Sequence, residues 1–498
     1  MKKKDSLIIL ALIAIAIFIF YPLFFSEYLY TDEAVQLWFY KKGSGFQMFL
    51  SQGRYITEKI FQWVFNNSNT IHDVIFIRLF SFFGWIFCIP AWYYIIKKVI
   101  TREKLPEQLI FFSVLYLVCT PPFSIYVSWA SCLELFIANT TGLISGYLLY
   151  SFIKYENEKI KLPLKAIIIS VISGVVSLFT YQNGFGCFLL PFLLHLISRP
   201  KNFRVIIMGI SVHLLIYIVY YLLFKYNLQA NNIEASNRTK ISIDVFPKIR
   251  FFFGRALATS FHFTYLFNEK NILGFIIYVI VFIAWLITDF YRFLMLAVSK
   301  RLKILALTLL ILVLIYLPSL IIKENYSSNR TLLALNMAVF FLVVSTTLAI
   351  IRKHKVRTGF IAALSFLFVF NAWVNFNKQF LAPVKNEYKQ VRTFIEKNYK
   401  PDIDTVYFIR PAEDFFVKKY GITRSWDEFG VPSTFFDWVP EFFVKQVILE
   451  KTNSREIAEK LTIRHWLGKE EILHSNPQVS KNILMIDVEQ IINNKTNE

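Results

Sequence analysis

Cysteine is scarce in this sequence, and the positions of the few that occur argue against two classes of site. Four cysteines occur in 498 residues, and all fall within or beside apolar stretches: Cys88, Cys119, Cys132 and Cys187. They lack the paired spacing of zinc ligands, and the polar C-terminal part has none. The seven histidines form no metal cluster by spacing. A disulfide framework and a structural zinc site are therefore disfavoured.

Acidic residues are also few, with 34 Asp and Glu against 54 Lys and Arg, giving a net charge of +20. A nucleic-acid-binding protein would gather its basic residues on one soluble face. Here they lie mostly in short loops at the ends of apolar runs, which is the distribution that orients membrane proteins. The sequence also lacks a phosphate-cradling glycine loop and a Ser-His-Asp arrangement. We therefore expect membrane lipids as partners and no nucleic acid.

Long apolar runs, in contrast, are abundant. Hydrophobic residues make up 56% of the chain and aromatic residues 18%, and the mean hydropathy is +0.48. Stretches of about 20 apolar residues, long enough to cross a membrane as helices, recur through most of the chain. We predict an all-α polytopic membrane protein with about eleven transmembrane helices. The predicted spans are approximately 7–26, 73–96, 108–127, 132–153, 166–181, 185–198, 203–225, 272–292, 304–322, 331–351 and 358–377.

The basic residues predict how these spans are oriented. The chain begins Met1-Lys2-Lys3-Lys4, and the apolar run that follows is too long for a signal-peptide core and lacks a cleavage site. We therefore expect an uncleaved first helix with a cytoplasmic N-terminus. Every short cytoplasmic loop is then basic, and three larger segments face outward: 27–72, 226–271 and 378–498. Within the second, 245–267 is predicted to lie in the membrane interface.

Two parts follow from this pattern. Residues 1–377 are predicted to form the transmembrane part, and 378–498 a small extracytoplasmic α/β domain. In the second part, helix-like stretches alternate with strand-like ones, such as Thr405 to Ile409 and Ile483 to Val488. The aromatic residues between Phe415 and Phe443 either help to bind a glycan or form the core of this domain.

An acidic pair, Asp32-Glu33, directly follows the first predicted span. A carboxylate at the outer membrane surface can act as a general base, taking the proton from an acceptor hydroxyl while a lipid phosphate leaves. Adjacent residues on a helix diverge by roughly 100°. We therefore predict Asp32 as the base and Glu33 as a supporting or metal-contacting group. Alternatively, Thr31 or Asp32 caps a helix running through Val35 to Tyr40, and both roles can hold together.

The same outer segment contains three candidate substrate-binding residues, Gln52, Arg54 and Tyr55. A guanidinium next to an aromatic ring suits a phosphate-sugar ligand, because its forked N–H groups pair with phosphate oxygens. The alternative is an arginine that extends from an interfacial helix to the lipid headgroups.

Further candidates lie near the outer ends of later spans. Glu134, at the start of the fourth span, is a candidate catalytic carboxylate, since ionisable residues near the membrane are often functional; equally, it could pair with a neighbouring span. Arg330 precedes the tenth span and could neutralise a lipid-phosphate leaving group, or it could face headgroups at a helix start. Arg255 and Arg238, in the second outer segment, are further candidates for neutralising the lipid phosphate.

An acidic pair in a long first outer loop resembles the large integral-membrane glycosyltransferases of the GT-C superfamily. Together with Gln52-Gly53-Arg54, it looks most like the bacterial O-antigen glucosyltransferases, the GtrII-like family. The resemblance covers the whole chain as architecture but only these residues as a motif.

This resemblance implies a hexose donor linked to polyprenyl phosphate, a surface-glycan acceptor, a single-displacement transfer and a bacterial cytoplasmic membrane. It implies Asp32 as the essential acid. Some relatives use a divalent cation (Mg or Mn) and others do not. The alternatives are a transporter or flippase of lipid-linked glycans, an O-antigen polymerase or ligase, and a non-catalytic assembly protein. Few charges fall in mid-span and no internal repeat is seen, which disfavours transport.

Overall fold

The computed structural model describes residues 3–40, 48–156, 159–199, 202–242, 244–261, 272–292, 296–351, 353–422, 428–475 and 482–494. Within these ranges the chain is mainly helical, with two small sheets. Among the described residues, six helical stretches are long and apolar enough to cross a membrane: Lys3–Phe25, Val74–Glu103, Ala130–Phe152, Phe203–Ala230, Asn329–Ile350 and His354–Asn398. The protein is therefore membrane-embedded, as the composition predicts.

Six spans are fewer than the eleven predicted, and the larger number is not confirmed. The helices Gln108–Cys119 and Pro121–Ser128 meet at 49° and would add a seventh span if they cross together. Three other predicted spans are shorter apolar helices, Leu164–Thr180, Gln182–Ser198 and Phe275–Tyr291. Hydropathy alone does not separate a helix that crosses a membrane from one buried among its neighbours, so these shorter apolar helices do not confirm further spans.

The remaining helices are short or lie outside the candidate spans. In the first two thirds of the chain they are Glu33–Phe39, Tyr55–Phe65, Val245–Phe251, Ala258–Phe261, Val298–Ile315 and Leu317–Ile321. In the C-terminal part they are Phe415–Tyr420, Val439–Thr452, Arg455–Lys460, Gly468–Ser475 and Val488–Asn493. The predicted interfacial segment 245–267 is thus a helix from Val245 to Phe261, with a π-helical turn over Phe252–Leu257, and its last residues lie outside the described ranges.

The C-terminal part contains a three-stranded parallel sheet. Its central strand, Thr405–Arg410, lies between Thr462–Leu467 and Ile483–Asp487. The two strand-like stretches named from the sequence are therefore both strands. The other sheet is the antiparallel pair Lys154–Glu156 and Lys159–Lys161.

Close backbone approach holds the apolar helices together. A Cβ placed on Gly146 would lie 2.0 Å from the backbone oxygen of Phe188. Only glycine therefore allows the helix Ala130–Phe152 to pack this closely against the 3-10 helical segment Gln182–Leu189. Aromatic rings fill wider gaps: Trp85 stacks on Tyr126 with 5.7 Å between ring centres.

The C-terminal part packs against the first loop of the chain. Phe442, on the helix Val439–Thr452, lies 5.0 Å from Phe39 at the end of the helix Glu33–Phe39. The predicted boundary between 377 and 378 falls inside one continuous helical stretch, His354–Asn398. A helix that runs from the apolar bundle into the C-terminal part fixes the direction in which that part leaves the bundle.

Candidate functional site

Asp32 lies in a turn that is held in an unusual conformation. Thr31 has a φ of +45°, a left-handed value that is rare for a β-branched residue. Its backbone N–H donates to Ser433 Oγ at 2.7 Å. Asp32 occupies the N-cap position of the helix Glu33–Phe39, yet its side chain makes no capping hydrogen bond. Instead, Asp32 Oδ1 accepts a hydrogen bond from Trp438 Nε1 at 2.9 Å. The structure therefore does not support helix capping as the role of this carboxylate.

Glu33 points the other way, into the protein. Its carboxylate is fully buried and pairs with the fully buried guanidinium of Arg78. It also accepts the backbone N–H groups of Tyr30 at 2.7 Å and Ala130 at 2.6 Å. Arg78 in turn donates to the backbone oxygen of Tyr28 at 2.8 Å. Glu33 thus ties the first loop to the helix Val74–Glu103, and the structure places it outside the pocket described below.

The stretch Gln52-Gly53-Arg54 forms a tight turn that aims Arg54. Gly53 has a φ of +75°, and a Cβ there would lie 2.2 Å from the hydroxyl oxygen of Tyr220, so this position requires glycine. Arg54 Nε donates to Gln182 Oε1 at 3.2 Å, and its guanidinium lies over the ring of Tyr181 at 4.4 Å. Within the part of the chain that the structure describes, Arg54 has no carboxylate at ion-pair distance. Its terminal amino groups are therefore available to an anionic ligand.

Arg330 is the second residue of the helix Asn329–Ile350. Its guanidinium lies over the indole of Trp129 at 4.3 Å, donates to the Tyr326 hydroxyl and lies 3.7 Å from Glu428. These contacts fix the guanidinium at the start of the helix, and the Glu428 carboxylate neutralises part of its charge.

Glu134 and Gln36 present buried polar atoms without partners. Both side chains are 1% exposed. Thr57 Oγ1 lies 3.5 Å from Glu134 Oε1, and Ser131 Oγ donates to Gln36 Oε1 at 2.9 Å. Glu134 Oε2 and Gln36 Nε2 have no hydrogen-bond partner among the described residues. Buried polar atoms are rarely left unpaired, so these two are expected to meet water or a ligand.

One pocket brings most of these groups together, with an empty volume of about 410 Å³ that includes its open side. Its lining residues are Asp32, Gln36, Met48, Phe49, Gln52, Arg54, Ser131, Cys132, Glu134, Leu135, Tyr181, Arg238 and Arg330. Of the residues singled out from the sequence, Asp32, Gln52, Arg54, Glu134 and Arg330 therefore meet, and Arg238 joins them. Glu33, Tyr55 and Arg255 do not line this pocket. Tyr55 is 40% exposed on the helix Tyr55–Phe65.

The pocket lies at one end of the apolar helices, because Leu135 and Arg330 both belong to first turns of long helices. Asp32 follows the first candidate span by only a few residues. Burial raises the pKa of the Asp32 carboxyl above its ordinary value, while Arg330, the Trp438 N–H and Arg238 lower it in part. A carboxylate with a raised pKa is a stronger base, which suits proton abstraction from a hydroxyl.

A divalent cation does not fit this site well. Mg²⁺ and Mn²⁺ are held by several oxygen ligands at once. Among the described residues, no group of three or more His, Cys, Asp or Glu side chains is arranged to hold a metal ion. The two carboxylates that line the pocket, Asp32 and Glu134, share it with three arginines.

Sequence reasoning missed three residues of the site: Gln36, which lines the pocket, and Gln182 and Trp438, which contact Arg54 and Asp32. Gln182 falls between two apolar stretches, where a glutamine is an unusual polar residue that could have drawn notice. Gln36 lies one helical turn after Asp32 and shares its helix face, which was a usable signal. Trp438 stands in an aromatic-rich stretch that gave no sign of its contact with Asp32.

Comparison with known proteins adds no relative. No protein-family model, no curated protein and no solved structure matches this chain significantly. The likeness to the GT-C enzymes therefore stays a prediction drawn from sequence pattern, and the function has to be argued from the pocket.

Proposed function

We propose that the protein is a membrane glycosyltransferase that moves a hexose from a polyprenyl-phosphate donor to a cell-surface glycan. The observation that carries the proposal is the pocket itself. It places a carboxylate of raised pKa, Asp32, in one pocket with Arg54, which has no carboxylate at ion-pair distance among the described residues, at the end of apolar helices. A base, an anion site and an adjoining membrane are what transfer from a lipid phosphate requires.

Asp32 is the base in this proposal. As the acceptor oxygen forms its bond to the anomeric carbon, the bond from that carbon to the phosphate oxygen breaks, and the acceptor proton passes to the Asp32 carboxylate. The electron pair of the broken bond leaves with polyprenyl phosphate. The gain of negative charge on the departing phosphate is stabilised by Arg54 and, on the other side, by Arg330. The transfer is a single displacement, as the GT-C resemblance implies.

The two buried unpartnered groups suit the sugar. Gln36 Nε2 can donate to a sugar hydroxyl, and Glu134 Oε2 can accept from one. A site that leaves such groups unpaired when a hydroxyl is missing discriminates strongly against deoxy analogues. Glu134 is therefore assigned to sugar recognition rather than to proton transfer. The reaction is placed on the outer face of a bacterial cytoplasmic membrane, with the N-terminus inside, following the basic short loops.

Transfer of labelled sugar in purified membranes tests the proposal. Polyprenyl-phosphate glucose, galactose and mannose serve as donors, and wild type is compared with Asp32→Asn at matched expression. Asp402→Asn is the control, because Asp402 is an exposed carboxylate far along the chain from the pocket. We expect wild type and Asp402→Asn to consume one donor, and Asp32→Asn to lose at least about 100-fold in rate, the usual contribution of a general base.

Equal activity of the Asp32→Asn variant would remove Asp32 from the mechanism. If wild type consumes no donor but carries intact lipid-linked sugar across sealed vesicles, the protein is a transporter and the proposal fails. Joining of preassembled glycan units without use of a single-sugar donor would instead indicate a polymerase or ligase.

A further inference from the structure

A segment of the C-terminal part, 428–438, closes over the turn that carries Asp32. The Tyr30 hydroxyl donates to the backbone oxygen of Glu428 at 3.0 Å, and Ser433 Oγ accepts the Thr31 N–H. The segment is itself anchored by Glu387, whose buried carboxylate accepts the backbone N–H of Ser433 at 2.8 Å. Segment and turn are therefore held together by hydrogen bonds at the two residues directly before Asp32.

Trp438, at the end of this segment, is exposed where a large aromatic residue would normally be buried. It is 45% exposed, although its indole N–H is engaged by Asp32. On one side the indole packs against the ring of Phe436, with 4.8 Å between ring centres and 30° between planes. Phe436 packs in turn against Phe435 at 5.4 Å. The tryptophan is thus supported on one side by Phe436, which Phe435 contacts edge to face.

We infer that the exposed indole of Trp438 is the platform on which the acceptor sugar stacks, so that its reacting hydroxyl is presented to Asp32. This inference rests on the proposed transferase function and adds the acceptor subsite to it. Tryptophan rings bind pyranose rings through their apolar C–H faces, and the gain is lost when the aromatic surface is removed.

The hydrogen bond between the two residues explains how stacking would lead to chemistry. The indole N–H lies in the plane of the ring, so the Asp32 carboxylate sits at the ring edge. A pyranose stacked on the indole face can therefore extend a hydroxyl beyond the ring edge, towards this carboxylate. Trp438 engages Oδ1 of the carboxylate, which leaves Oδ2 to accept the proton. One residue would therefore both orient the base and hold the acceptor.

Two substitutions separate these effects. Trp438→Phe keeps an aromatic face and loses the N–H, while Trp438→Leu loses both. Trp63→Leu is the matched control, since Trp63 is 63% exposed and its ring packs against Phe80 on the helix Val74–Glu103. The acceptor probes are octyl glucoside, galactoside, mannoside and N-acetylglucosaminide, used with the donor that wild-type membranes consume, and KM and kcat are measured for the full-length protein.

We expect Trp438→Leu to raise the acceptor KM about tenfold relative to Trp438→Phe, because only the stacking surface differs between them. Both variants should lower kcat and move the acid limb of the pH profile upward relative to wild type, because both remove a hydrogen bond to the Asp32 carboxylate. Trp63→Leu should match wild type in KM, kcat and pH profile.

The inference is wrong if wild type transfers sugar and the two Trp438 variants share one acceptor KM, since the indole is then a positioning or membrane-surface residue only. If wild type transfers sugar to no acceptor and consumes no donor, the proposed function itself has failed. Melting temperatures of both variants, measured in detergent, identify a folding defect. In that case Trp438→Met, which also lacks the aromatic face and the N–H, replaces Trp438→Leu, and its acceptor KM should again be about tenfold above that of Trp438→Phe.

Discussion

Replacing Glu33 with glutamine is expected to destabilise the fold, whereas replacing the adjacent Asp32 with asparagine is expected to leave the fold intact. Glu33 and Arg78 are both fully buried and paired. Removing one charge of a buried pair costs about 3–5 kcal/mol, because the other charge is left without compensation. Among the described residues Asp32 has no ion pair, and asparagine keeps an oxygen that can accept from Trp438, so the amide analogue loses little beyond the charge.

The size of this effect is large against the total stability. A folded domain is stable by about 5–15 kcal/mol, so the Glu33→Gln change removes a substantial fraction. In a melt of the detergent-purified protein we expect a fall on the order of 5 °C or more, together with lower yield. Asp32→Asn should melt within about 1 °C of wild type, since substitutions away from buried pairs shift stability by only about 0.5 kcal/mol.

A double-mutant cycle makes the comparison stricter. Arg78→Met removes the cation, and the double variant Glu33→Gln with Arg78→Met should be less unstable than the sum of the single variants, with a coupling of roughly 0.5–3 kcal/mol. An additive cycle would show that the ion pair is not the source of the loss. A Glu33→Gln protein that melts like wild type and yet transfers no sugar would place Glu33 in the chemistry and refute this assignment.

Three other predictions follow from the pocket. The pKa of Asp32 is raised, so the transfer rate should fall as the pH drops through a pKa above that of an ordinary aspartate. Arg330→Met removes a cation that lowers this pKa, so the acid limb of its pH–rate profile should lie at higher pH than that of wild type. An unchanged limb would mean that another group titrates. Arg54→Lys should raise the donor KM about tenfold, because a lysine cannot pair with two phosphate oxygens at once; inhibition by polyprenyl phosphate should weaken in parallel, and a changed kcat alone would contradict the role. Treatment with EDTA should leave the transfer rate within about twofold of that of the untreated protein, since the pocket does not offer the oxygen ligands that Mg²⁺ needs. A rate that EDTA abolishes and added Mg²⁺ restores would disprove this.

The sequence allowed some of the site to be predicted for a definite reason. Asp32, Arg54, Glu134 and Arg330 all lie near the ends of apolar runs, and the charge pattern placed those ends on one side. Helix ends on the same side of a bundle lie close together, so several of these residues meet in one pocket. Local geometry also anticipated that Asp32 and Glu33 would not share a task.

What the sequence could not give depends on contacts between distant segments. The partner of Glu33 is Arg78, and nothing near either residue predicts their burial. The contact between Asp32 and Trp438 spans 406 positions. The predicted number of spans is not confirmed for a related reason: hydropathy measures how apolar a helix is, while crossing depends on what surrounds it.

The separation between Asp32 and Trp438 has a consequence for biosynthesis. Ribosomes add about 5–20 residues per second, so Trp438 is made roughly 20–80 s after Asp32. During that interval the apolar helices between the two residues are made, and by its end the chain contains all of them, including Asn329–Ile350. A chain that stops after its last long helix would carry Asp32, Arg54 and Arg330 but no residue to close the turn. Segment 428–438 is made after all of these helices, so the turn that carries Asp32 is closed late in synthesis.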